Sequence, residues 1–85
     1  MHQHRKSWTR EQIRAARKAP LVEVLSSHGL TLRSTGAENY SVAQYPGTIV
    51  KDCYWREPEQ ERSGNTIDFL VKVIGLSFAQ AMEEI

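Results

Sequence analysis

Eighty-five residues, 40% hydrophobic and 25% charged, with a mean hydropathy of −0.50, make one small domain with an economical core. No apolar run approaches a membrane span, and the balance of hydrophobicity and charge is not that of a disordered chain. A single cysteine, Cys53, excludes an intramolecular disulfide framework, and with no signal-peptide pattern after Met1 a cytoplasmic location is the expectation.

The net charge of +1 conceals an asymmetry. Residues 1–19 carry six bases against one acid, a net of +5, whereas residues 20–85 carry five bases against nine acids, a net of −4. A basic amino-terminal arm over residues 1–9, ahead of a single domain over residues 10–85, suits a polyanionic partner; a solvated helix end is the plainer alternative. Thr9-Arg10-Glu11-Gln12 has the form of a capping box and predicts a helix over 10–18. Ile13 and Ala16 share one side of it, and Arg10, Arg14 and Arg17 another. Pro20 suits the first turn of a second helix with Leu21, Val24, Leu25 and His28 on one face, ended by Gly29.

From Leu30 to Arg56 the period changes. Leu30 and Leu32, Tyr40 and Val42, Ile49-Val50 and Tyr54-Trp55 predict three or four short antiparallel strands, with turns at Ser34-Thr35-Gly36 and Pro46-Gly47. Residues 57–64 read as an exposed polar loop. Asn65 caps a helix with Ile67, Phe69, Leu70, Val73 and Ile74, stopped by Gly75. Ser77-Phe78-Ala79-Gln80 is a second capping box, opening a last helix with Phe78, Ala81, Met82 and Ile85. That helix has no stop signal, which suggests the amino-terminal part of a longer protein. The fold class is α+β, a small sheet flanked by helices. The expected core is Ile67, Leu70, Val73, Ile74, Phe78 and Met82 against Leu21, Val24 and Leu25, with Phe69 turned to the sheet.

The chemistry-bearing residues are sparse. A structural zinc site takes four ligands, typically in close pairs. Cys53, His2, His4 and His28 do not form such a set, so no metal and no other cofactor is expected. Cys53 with His28 lacks anything that would set a base beside the thiol. Glu57, Glu59 and Glu61 read as solvated loop carboxylates rather than an acid–base pair. Gly64-Asn65 at a helix start is at most a minor phosphate contact.

Gly64-Asn65-Thr66-Ile67-Asp68-Phe69-Leu70, followed by Gly75-Leu76-Ser77-Phe78-Ala79-Gln80-Ala81, resembles the end of the CHC-type zinc-binding domain of bacterial DNA primases. Leu21-Val22-Glu23-Val24-Leu25 before Gly29 and Leu32 is similar to that family's opening helix, and Asn39-Tyr40 to its first strand. The family's ligand pairs would fall near Gln44 and Gly47 and between Cys53 and Gln60, where only Cys53 could ligate. The resemblance therefore implies a metal-less zinc-ribbon-like form, as in Toprim-containing primase-like proteins of mobile elements, which carry a similar aromatic strand and Gly-Asn-x-Ile-Asp-Phe-Leu helix. Structural zinc contributes of order 10 kcal/mol to folding in finger peptides. Tyr40, Tyr45, Tyr54 and Trp55 are expected to compensate, at about 1.5–3 kcal/mol for each aromatic buried.

The resemblance implies a non-catalytic accessory module in DNA replication or mobilisation, with a Toprim domain downstream or a replicative helicase as protein partners. The residues expected to bind single-stranded DNA, weakly, are Arg33, Lys51, Tyr54, Trp55 and Arg56, aided by Arg10, Arg14 and Arg17. Strand alternation sets Tyr54 and Arg56 on one face and Trp55 on the other, with Trp55 inward as the favoured choice. The alternative function is a protein-interaction or architectural module, docking through the acidic loop and the last helix.

Overall fold

The computed structural model describes residues 7–85. His2, His4, Arg5 and Lys6, and with them most of the basic arm, lie outside the described residues. The elements run α1 (Arg10–Arg17), α2 (Leu21–Ser27), β1 (Leu32–Gly36), β2 (Asn39–Val42), β3 (Ile49–Lys51), β4 (Tyr54–Glu57), β5 (Arg62–Gly64), α3 (Thr66–Asp68), a π-helical continuation over Phe69–Ile74, and α4 (Phe78–Glu84). The five strands form one antiparallel sheet in sequence order. The fold is α+β, but the sheet has five strands rather than three or four.

The additional strand comes from the segment read as loop. After Glu57 a 3-10 turn over Pro58–Gln60 leads to Glu61, whose φ of +52° reverses the chain. Arg62 then returns opposite Glu57, and Gly64 opposite Trp55. An ion pair spans the returning strands, with Arg62 Nε donating to Glu57 Oε1 at 2.7 Å. Polar composition concealed this hairpin because its stabilising contact is itself between charged side chains.

Both expected capping boxes close, and the Asn65 cap forms a third with Asp68. Thr9, Asn65 and Ser77 each accept a backbone N–H from Gln12, Asp68 and Gln80, whose side chains reach back to the cap. At Pro46-Gly47 the expected turn is present, with Thr48 N–H donating to the Tyr45 carbonyl and Gly47 at φ +90°. The first hairpin differs: β1 continues through Gly36, and the turn falls on Ala37 and Glu38, at φ +49° and +64°. Two consecutive positive φ values are what the right-handed twist of a two-residue hairpin demands, and neither residue adopts them readily.

The helices cover one face of the sheet. Leu21 and Leu25 of α2, Phe69 and Leu70, and Ala81 of α4 pack on Val42, Val50 and Trp55, all buried. Phe69 is fully buried, with its ring edge-to-face with Trp55 (5.4 Å, 87°) and with Tyr45 (5.9 Å, 87°). The adjacent residues Phe69 and Leu70 both point inward in the π-helical segment. Val24, Val73 and Ile74 are only partly buried at its margin. Gly75, at φ +93°, ends the segment, and Leu76 N–H returns to the Leu70 carbonyl at 2.9 Å.

A second cluster joins Ala16, Ile67 and Met82, flanked by Trp8 and Ile13. Trp8 thus packs on the domain rather than extending from it. Phe78, expected in the core, is 42% exposed. It opens α4 one turn before Met82, beyond the edge of this cluster, with its ring roughly perpendicular to that of Trp8 (5.9 Å, 82°). Tyr54 is 65% exposed and so supplies none of the compensating aromatic burial expected of it. Among the described residues no helix is long and apolar enough to cross a membrane.

Two stability measurements check this account. Phe69→Ala should lower the unfolding free energy in urea by about 3–5 kcal/mol, because the emptied site is closed on all sides. The pair Ala37→Asn with Glu38→Gly should raise it by about 1 kcal/mol, by relieving two left-handed residues.

Candidate nucleic-acid interface

The register decides which side chains meet. Tyr40 faces Val50, Val50 faces Trp55, and Trp55 faces Gly64, a row pointing to the helices. The neighbouring row is Arg33, Ser41, Ile49, Arg56 and Ser63, across all five strands on the opposite face. Lys51 pairs with Tyr54 beside it. Thus Arg33, Lys51, Tyr54 and Arg56 share one face, and among the described residues no helix covers it. All four are exposed.

Three of them, Lys51, Tyr54 and Arg56, line a shallow groove of about 700 Å³ with Asn39, Ile49 and Ser63, while Arg33 lies outside it; Trp55, Gly64, Asn65 and Asp68 complete the lining. Asn39, Ile49 and Ser63 were not among the binding residues expected from sequence, and Asn65 was read only as a helix cap and minor phosphate contact. The signal that finds them is the two-residue period, counted outward from Tyr54 once the pairing is known.

The only acidic strand residue is Glu57, which alternates with Arg56 onto the helix side. There Thr48 Oγ1 donates to its Oε2 at 3.4 Å and Arg62 holds its other oxygen. Of the remaining carboxylates of this region, Asp68 lies at the start of the helical segment, where it accepts the Asn65 N–H, and the others sit in the turns. Glu38 and Asp52 lie at one end of the strands, and Glu59 and Glu61 at the other. The face is therefore a cationic band between two acidic rims.

Trp55 does not belong to that band. It is 2% exposed, and its Nε1–H donates to the Asn65 carbonyl at 2.9 Å. Its ring is spent on the core and cannot stack on a base. Arg10, Arg14 and Arg17 are exposed on α1, apart from the sheet face.

The positions corresponding to metal ligands in the resemblance carry other contacts. Gln44 lies in the segment after β2, where its Oε1 accepts the Thr31 N–H at 3.0 Å. Cys53 is buried in the turn between β3 and β4. Among the described residues no group of three or more His, Cys, Asp or Glu side chains converges. His28 Nδ1 instead meets Glu84 Oε2 at 3.3 Å, tying α2 to α4.

Comparison with protein-family models, with curated proteins and with solved structures gives no match.

The end of the groove depends on Gly64. A Cβ there would stand 2.5 Å from the Asp68 Cβ, so only glycine lets Asp68 reach back to the Asn65 N–H at 3.0 Å. Gly64→Ala should cost about 1–3 kcal/mol of stability, measured by chemical denaturation, by forcing that side chain or β5 aside.

Proposed function

We propose that this domain is a non-catalytic module that binds single-stranded DNA weakly through the open face of its sheet, as an accessory part of a primase-like replication or mobilisation protein. One observation carries the reading. Arg33, Lys51 and Arg56 stand with the exposed Tyr54 on one uncovered face whose outward strand positions include no carboxylate.

A flat sheet presenting cations around an aromatic ring suits a strand whose bases are unstacked. Phosphates meet the guanidinium and ammonium groups, while one base lies on the phenol. A duplex hides its base faces and could use only the charges. The acidic rims at both ends of the strands direct a polyanion across them, from β1 towards β5. The primase resemblance of 64–70 and 75–81 adds the expectation of a replication context, in which a downstream Toprim domain or a helicase would share the template.

Fluorescence anisotropy with a labelled single strand of about 20 nucleotides tests the reading. Binding should be micromolar or weaker at moderate salt, with log K falling against log salt at a slope of about −2 for three phosphates. Tyr54→Ala should weaken it by about 1–3 kcal/mol, the worth of one stacked base. Arg56→Ala should flatten the slope by about 0.7. Absence of binding at low salt would remove this reading in favour of the docking role.

A further inference from the structure

The groove on the sheet does not stop at β5. Asn65 and Asp68, which complete its lining, also line a second cleft of about 470 Å³ with Arg17, Ile67, Val71 and Phe78. Arg17 in turn lines a third, of about 260 Å³, with Arg10, Ile13 and Arg14. The three clefts thus join through shared side chains into one path from the sheet, over the start of α3, to the outer side of α1.

The middle cleft contains the residue that the core leaves over. Phe78 is 42% exposed, and Trp8 supports it edge-on (5.9 Å, 82°), leaving ring surface accessible. Ile67 and Val71 complete an apolar floor. The charged groups here are Arg17, which this cleft shares with α1, and Asp68, which already accepts the Asn65 N–H. A phosphate is disfavoured beside that carboxylate, whereas a base brings an apolar ring for Phe78 and N–H donors for Asp68.

Beyond it the character reverses. Arg10, Arg14 and Arg17 follow one another at helical spacing over about 10 Å. None is ion-paired with a described residue.

We infer that Phe78 is a second base-stacking position on the same bound single strand, and that the α1 arginines hold the phosphates beyond it. This rests on the proposed sheet interface and extends it to a path of two parts. The sheet crosses five strands about 4.8 Å apart, roughly 19 Å. With the 10 Å of α1 and the waist between them, the path accommodates roughly 8 to 12 nucleotides, inside the 4–16 found for other single-strand platforms.

The experiment compares oligothymidylates of about 5 and 12 nucleotides, by competition anisotropy at low salt, on wild type, Phe78→Leu, Arg14→Gln with Arg17→Gln, and Arg56→Ala. Phe78→Leu keeps an apolar contact for Trp8 while losing the flat ring. The longer strand offers about eightfold more registers on statistics alone, and two linked sites should raise its advantage to roughly thirtyfold or more. Phe78→Leu and the arginine pair should each cut binding of the 12-mer at least roughly fivefold and leave that of the 5-mer unchanged. An advantage of eightfold or less, or one indifferent to both changes, overturns the extended path. If the 5-mer binds and responds to Arg56→Ala in that case, the sheet interface survives alone. If the 12-mer responds to the α1 and Phe78 changes but not to Arg56→Ala, the sheet reading fails, and with it the two-part path. No binding of either strand overturns both.

Discussion

The indole of Trp55 is enclosed by groups from β3, β5 and the helical segment that follows. Val50 and Gly64 flank it in the sheet, Phe69 meets it edge-on, and the Arg62 guanidinium stands 6.0 Å from its centre. Its single polar atom donates to the carbonyl of Asn65, the residue that caps α3. A buried indole N–H left unpaired would cost about 1–3 kcal/mol, so this bond fixes where β5 ends and the helical segment begins. Position, register and cap are therefore set together. Because Trp55 points to the helices, strand alternation compels Tyr54 and Arg56 to point away. The proposed interface is the reverse side of the core's central residue.

Fastening at the other end of the sheet is polar. Glu57 receives the Thr48 hydroxyl and the Arg62 guanidinium, and Arg62 also donates to the Lys72 carbonyl at 3.3 Å near the end of the π-helical segment. That network links the turn before β3, the β4–β5 hairpin and the helices within a few ångströms. Partly buried and bonded on both oxygens, Glu57 is withdrawn from the side where a polyanion is proposed to lie. The same pairing that stabilises the short hairpin keeps the outer face free of negative charge. Thr66, fully buried, adds a link by donating to the Ala19 carbonyl at 2.6 Å, which holds the end of α1 close to α3. Asp52 contributes another, its carbonyl accepting the Leu21 N–H at 2.9 Å and so seating α2 against the β3–β4 turn. These last two bonds join segments distant in sequence, as a domain with so little core requires.

Local chemistry was legible wherever a short segment carries its own instruction. Thr9 to Gln12, Asn65 to Asp68 and Ser77 to Gln80 state their helix starts because donor, acceptor and spacing all lie within one turn. Gly29, Gly47 and Gly75 mark stops and a turn because a left-handed residue is needed there. The opposition of Tyr54 and Arg56 to Trp55 follows from strand geometry alone. What composition could not convey was pairing. Residues 62–64 are polar and short, and become a strand only because Glu57 and Trp55 await them. Ala37 and Glu38 carry no turn signature, and accept left-handed geometry because the register of β1 on β2 imposes it.

The sequence by itself determined an α+β fold with capped helices, a strand with Trp55 opposed to Tyr54 and Arg56, and a surplus of cations on one helix. Those features depend on neighbours within a few residues. The tertiary structure alone decided that Arg33, Lys51, Tyr54 and Arg56 meet on one uncovered face, since their convergence depends on the order and register of strands spread over residues 32–64. It alone left Phe78 outside the core, although the residue recurs at the right helical spacing with Met82. Periodicity gives the direction of a side chain from its helix axis, but the distance to the facing layer decides burial. At the first turn of α4 the facing ring is Trp8, roughly perpendicular to Phe78, and Phe78 stays 42% exposed.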